Sequence, residues 1–288
     1  MFLRIIRNLP MTHFFTISVL LFCSINYSEA QPLWQPDTVT VESDHLQLKG
    51  LLWRPAGKGA FPAVIFCHGS YETDDTRYDA VQQTSVLGPI FAKNGYVFFG
   101  LFRRGVGLSL DQGVNSADRM TKANKEKGQE ERNKVQIQQL QNDDLEDMIS
   151  GLAFLRQRKD VDTSRLSVMG HSFGGSLALL TAEHVPGLKA IVVFGTAGYS
   201  WNLSPQLRQT LINAVQNINA PVLMVHAQND YSVNPGHALD SVMTQAGKPH
   251  VLKIYPPFGS SSSEGHNFLF LSTKTWEADI FKFLRKNL

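Results

Sequence analysis

Six short runs of almost unbroken apolar residues constrain this chain more than any other feature. They are Ala63–Cys67, Tyr96–Phe99, Leu166–Met169, Ala190–Phe194, Pro221–His226 and Val251–Tyr255. A run without a polar face makes a strand that needs cover on both sides, as in a parallel sheet between helices. Thr38–Glu42 and Leu46–Trp53, broken at Ser43-Asp44, read as an early hairpin. Helical spacing fills the gaps: Leu145, Met148, Ile149, Leu152 and Leu155 recur at three- and four-residue steps, with Asp143 and Glu146 placed to cap the start. Trp276, Ile280, Phe281 and Leu284 repeat the pattern within Thr275–Leu288. The alternation predicts an α/β fold, a mostly parallel, doubly wound sheet with helices on both faces, as a single domain over residues 31–288. Neither an internal repeat nor a second domain is legible.

Composition narrows the function. With 43% hydrophobic and 18% charged residues among 288, the chain can build a core, which excludes disorder. A net charge of +2 makes no electrostatic case for nucleic acid as a partner. Two cysteines are too few for a disulfide framework or a four-thiolate zinc site. Cys67 ends an apolar run and reads as a small buried hydrophobe rather than a nucleophile. His45, His184, His237 and His250 have no partner at metal-ligand spacing, and no nucleotide-phosphate loop appears, so no cofactor and no metal are implied.

Residues 1–30 differ from the rest. Arg4 and Arg7 precede the uncharged run Phe14–Ile25, and Ser28-Glu29-Ala30 offers small residues at −3 and −1 of a cleavage site. This is the layout of a secretory signal peptide, with an apolar run shorter than the roughly 20 residues of a spanning helix. Leu20-Leu21-Phe22 before Cys23 lacks the small residue of a lipidation site. The expectation is export to the periplasm or the medium without stable membrane insertion after cleavage. Residues 111–141 also break the rhythm, setting Lys122, Lys125, Lys127, Arg132 and Lys134 against Glu126, Glu130 and Glu131. Such a stretch reads as a solvated helical arm, or as a lid over a binding site.

Gly170-His171-Ser172-Phe173-Gly174 falls where the run Leu166–Met169 ends and the helical run Leu177–Ala182 begins. A tight strand-to-helix turn lifts its central side chain above the sheet, and small residues two places either side let strand and helix pass. The helix N-terminus leaves unpaired N–H groups near Ser172, so the Phe173 N–H is placed to bind a developing oxyanion. A serine hydroxyl needs a base. Asp230 lies four residues after His226 at the end of one run, and His266 lies between the run Val251–Tyr255 and the last helical stretch.

These residues carry a resemblance. Over about residues 38–288 the chain resembles an α/β-hydrolase of the dienelactone hydrolase-like group, bordering the prolyl-oligopeptidase-type serine hydrolases. The resemblance implies an α/β-hydrolase fold and a triad in the order Ser172, Asp230, His266. His226-Ala227-Gln228-Asn229-Asp230 resembles the family's acid loop. His68-Gly69-Ser70-Tyr71 resembles its oxyanion loop, with either the Ser70 N–H or the Tyr71 phenol as the second donor beside Phe173. Arg104-Gly105-Val106-Gly107-Leu108-Ser109 resembles a further signature, Asp-x-Arg-Gly-x-Gly-x-Ser, but Phe102 stands in the Asp slot. His171 reads as a filler within the turn and His226 as a strand-end residue, while Tyr199 and Trp201 read as acyl-pocket walls or as loop packing.

The expected function is a serine hydrolase that cleaves a small-molecule carboxylic ester through an acyl-enzyme. Serine separates it from fold relatives with an aspartate nucleophile and from dienelactone hydrolases proper, whose nucleophile is cysteine. A peptidase, an acyltransferase and a non-catalytic binding scaffold are the competing expectations.

Overall fold

In the computed structural model residues 34–71 and 79–288 are described, and they belong to one compact unit. The expected signal peptide, residues 1–30, lies outside them. The hairpin forms as β1 (Asp37–Ser43) and β2 (Leu46–Trp53), paired antiparallel. The apolar runs become β3 (Phe61–Cys67), β4 (Val97–Leu101), β5 (Val161–His171), β6 (Ala190–Phe194), β7 (Val222–Ala227) and β8 (His250–Tyr255). They assemble in the order β1-β2-β4-β3-β5-β6-β7-β8. β2 pairs antiparallel with β4, and β3 through β8 are mutually parallel.

Alternate residues of the central strands supply two separate cores, as the two-residue side-chain period of a strand requires. On β3, Ala63, Ile65 and Cys67 join one core while Val64 and Phe66 join the other. On β6, Ile191 and Val193 face one way and Ala190, Val192 and Phe194 the other. The first face is covered by α4 (Asp143–Arg156), α5 (Phe173–His184), α6 (Pro205–Asn217) and α7 (Asn234–Gln245). The second is covered by α1 (Asp79–Lys93) and, after two short turns of helix, α8 (Ser262–His266) and α9 (Phe268–Leu271), by α10 (Thr273–Asn287). Trp276, Ile280, Phe281 and Leu284 are the buried stripe of α10, as their spacing predicts.

The chain leaves β3 toward β4 and leaves β5 toward β6, on the opposite side of the sheet. Loops that diverge in this way open a crevice at the carboxyl ends of β3 and β5, the usual place for a site in an open α/β sheet. The segment 111–141 folds into α2 (Ser116–Lys127) and α3 (Gln129–Gln141), which join at Gly128 with φ 84°.

Two buried ion pairs anchor the loop after β4. Asp147 is fully buried on α4 and accepts from Arg104 Nη2 at 2.7 Å, from Arg104 N at 3.0 Å and from Ser43 Oγ at 2.8 Å. Asp144, one turn earlier on the same face, pairs with Arg103 Nε at 3.2 Å. The expected cap on α4 is not formed: its N-cap is Asn142, with no side-chain bond, and Asp143 instead reaches Arg104 and Arg119, each at 3.4 Å. Asp147→Ala should cost about 3–5 kcal/mol in urea unfolding, because it strands a buried guanidinium and the Ser43 hydroxyl together. A loss below about 1 kcal/mol would show that Arg104 finds water instead.

Candidate active site

β5 ends at His171 and α5 starts at Phe173, so Ser172 alone makes the turn, at φ 58° and ψ −119°. A left-handed φ at a residue with a side chain is strained and persists only where its surroundings hold it. Here Ser172 N donates to Phe194 O of β6 at 2.8 Å. The glycines do the rest. A Cβ on Gly170 would lie 2.1 Å from Gly174 O, and one on Gly174 would lie 2.0 Å from Cys67 O. Both obstacles are backbone, which cannot swing aside.

Asp230 follows β7, and His266 closes α8. A capping box between Ser261 and Glu264 sets the start of α8. His266 Nδ1 donates to Asp230 Oδ1 at 2.7 Å. His226, expected only as a strand-end residue, donates from Nδ1 to the other oxygen, Oδ2, at 2.9 Å. Tyr231 N adds a third bond at 2.7 Å. Burial by itself would raise the Asp230 carboxyl, but the hydrogen bonds from His226 and His266 hold it well below the usual carboxylate range. With its Nδ1 proton committed to an anion, the neutral His266 ring keeps a lone pair at Nε2 and can accept a hydroxyl proton. Ser172 Oγ has no hydrogen-bond partner among the described residues. A nucleophile-to-base bond commonly tightens only when substrate arrives.

His171 takes no proton-transfer position. Its Nε2 donates to His266 O at 2.8 Å, and burial above all pushes the ring down to about 3. It is a neutral strut under the His266 backbone.

Ser172 and His266 line one cavity of about 220 Å³ with Ser70 and Phe173. Tyr71 does not line it; its phenol donates to Gln83 Oε1 at 2.6 Å, so of the two residues weighed in this loop Ser70 is the one at the cavity. Tyr199 is on the wall, whereas Trp201 is buried in the core. The opposite wall comes from the polar segment: Met120 of α2 with Arg132 and Gln136 of α3. The solvated-arm expectation therefore holds only for the outer face, where Lys134 pairs with Glu130 at 3.0 Å. On the inner face Asn133 and Gln136 are buried, donating to Leu203 O at 2.7 Å and Ser200 Oγ at 3.3 Å. Burial through Asn and Gln leaves no hydrophobic period, so the sequence pattern conceals it. Among the described residues no cluster of three His, Cys, Asp or Glu could hold a metal ion.

Sequence reasoning missed Arg103, which holds the carbonyls of His68 and Gly69 beneath the cavity. The available signal was a pair of arginines directly after an apolar strand, matched by Asp144 and Asp147 three residues apart in a helical stretch.

The buried histidines predict an acid sensitivity. His171 and His68 both titrate below the ordinary 6.5, chiefly through burial, so below that pH the unfolded chain binds protons the folded one refuses. Stability should therefore rise with pH through this window, and Tm should fall steadily from pH 7 to about pH 4. His171→Gln should flatten that slope; an unchanged slope in the variant would remove His171 from the account.

The dienelactone hydrolase family model matches residues 48–271. An uncharacterized peptidase of Bacillus subtilis, YtmA, is 25% identical over 247 residues, covering 77% of this chain and 84% of that protein. Acylaminoacyl peptidase of Pyrococcus horikoshii superposes with a TM-score of 0.62 at 16% identity, over 88% of this chain but only 42% of its own. Dienelactone hydrolase from Anabaena variabilis superposes with a TM-score of 0.60 at 16% identity, over 88% of this chain and 99% of its own. The structural likeness is one of fold, and the family match takes in the elbow, the acid loop and the histidine together: the chain belongs to the dienelactone hydrolase family.

Proposed function

We propose that this hydrolase cleaves carboxylic esters through an acyl-enzyme on Ser172. The observation that carries the reading is a serine held at φ 58° on a strand-to-helix turn, in one 220 Å³ cavity with a histidine whose Nδ1 lies 2.7 Å from a buried carboxylate. Ser172 Oγ attacks the ester carbonyl while His266 Nε2 takes its proton. The oxyanion forms between the N–H groups of Phe173 and Ser70, and His266 returns the proton to the departing alcohol. A water activated by His266 then releases the acid. Asp230 keeps the tautomer and stabilises the imidazolium throughout. The small cavity, closed on one side by α2 and α3, favours a short acyl group.

A second reading is a peptidase, favoured by the Bacillus relative and the acylaminoacyl peptidase fold match. The chemistry is shared, and the leaving group decides: an amine must be protonated as it departs, an alkoxide much less so. Export is part of the proposal, supported by the charged head, apolar run and small-residue site within residues 1–30.

Ser172→Ala should abolish hydrolysis of p-nitrophenyl acetate and butyrate by protein beginning at residue 31. Asp230→Asn should lower kcat by about 10³–10⁴. Retention of the wild-type rate in Ser172→Ala would end the reading. Matched ester and anilide substrates separate the two leaving groups: an ester preference far beyond their intrinsic reactivity supports the esterase, and comparable kcat/KM values support the peptidase. N-terminal sequencing of the exported protein should begin at Gln31.

A further inference from the structure

Arg103 is 2% exposed and does not line the catalytic cavity, yet it touches both sides of the oxyanion site. Its Nη2 donates to Gly69 O at 3.0 Å and its Nη1 to His68 O at 2.8 Å. Its guanidinium lies 5.4 Å from the centroid of the Phe173 ring. Its own backbone N–H donates to His68 Nε2 at 3.2 Å, which assigns the imidazole proton to Nδ1 and makes that atom the donor in the 2.8 Å contact with Gly69 O. Two donors therefore converge on one carbonyl.

That carbonyl belongs to the Gly69–Ser70 peptide. A trans peptide is planar, with C=O and N–H pointing in opposite directions. Pinning Gly69 O beneath the loop therefore turns the Ser70 N–H upward, toward the cavity that Ser70 lines. Charge-assisted donation to the carbonyl also polarises the amide and strengthens its N–H as a donor. We propose that Arg103 is a positioning residue for the oxyanion hole: it sets the plane of the Gly69–Ser70 peptide and packs against Phe173, which supplies the other donor. Asp144 holds Arg103 from behind through Nε, and Ser116 of α2 donates to the other Asp144 oxygen. The same chain of contacts thus ties the helical wall of the cavity to the oxyanion loop. Arg103 occupies the variable position of the Asp-x-Arg-Gly signature, beside Phe102 where that signature has its aspartate.

This inference rests on the acyl-enzyme reading, so its test carries a control for that reading. The variants are Arg103→Met, Arg103→Lys and the double variant Arg103→Met with Asp144→Asn, which removes the buried charge that the single change would strand. The measurements are kcat and KM for a p-nitrophenyl ester, scaled to sites titrated by a fluorophosphonate, and Ki for an aryl trifluoromethyl ketone that forms a tetrahedral oxyanion. Each variant should lose about 10²–10³ in kcat per titrated site, the range for an oxyanion donor, with KM within about threefold. Ki should rise by a factor that tracks the loss in kcat/KM. Lysine, which cannot fork across two carbonyls, should not restore the rate. Wild-type kcat and Ki per site in the folded double variant would overturn the role of Arg103 while leaving the hydrolase reading intact. Failure of the fluorophosphonate to label Ser172 in the wild type would overturn that reading, and the oxyanion role with it.

Discussion

Helix α5 meets the carboxyl end of β3 at backbone distance, and the site is built on that approach. A Cβ at Gly174 would stand 2.0 Å from the Cys67 carbonyl and 2.3 Å from that of His68, so only hydrogen fits between helix and strand. With the helix this near, its N-terminal N–H groups and the loop after β3 face the same small volume. The strained Ser172 is held at their junction, with its amide bonded into β6. Were α5 to stand off by the width of a methyl group, Phe173 and Ser70 would no longer line one cavity as closely.

The second feature is the amount of buried charge placed around this contact. Arg103, Arg104, Asp144 and Asp147 are all buried, and Asp230 is bracketed by two imidazoles. Buried ion pairs add little net stability, because desolvation offsets their attraction, but they fix geometry and penalise any arrangement that parts them. Here they join segments that the sheet alone leaves independent. Asp147 links the first hairpin to the loop after β4, and Asp144 links the insertion to the loop after β3 through Arg103. His171 and His226 act likewise, one bracing the His266 backbone and the other holding the far oxygen of Asp230.

The polar segment 111–141 belongs to the same design. Its exposed face carries ion pairs at three- and four-residue spacing, which water screens. Its inner face is held by amide hydrogen bonds to residues 200 and 203, and it supplies Met120, Arg132 and Gln136 to the cavity wall. Part of the cavity wall therefore comes from α3, whose buried face is mostly polar, through Asn133, Gln136 and Gln139.

What the sequence determines by itself is local. Apolar runs located the strands, because a strand covered on both faces needs unbroken apolar character; β5 starts five residues before its run, and β8, at the sheet edge, is only partly covered. The glycines around Ser172 marked the elbow, because only glycine survives that approach of backbone to backbone. The order of Ser172, Asp230 and His266 along the chain marked the three loops that meet. What the tertiary structure decided are contacts between residues far apart in sequence: Arg103 on the loop after β3, 35 residues earlier, Ser43 on Asp147 across 104, and Tyr71 bonded to Gln83 rather than facing the cavity. Strand order sets such contacts, since β4 crosses to the far side of β3 before the chain returns to make β5. Side-chain spacing encodes which face of an element is buried, and carries no record of which element will lie against it.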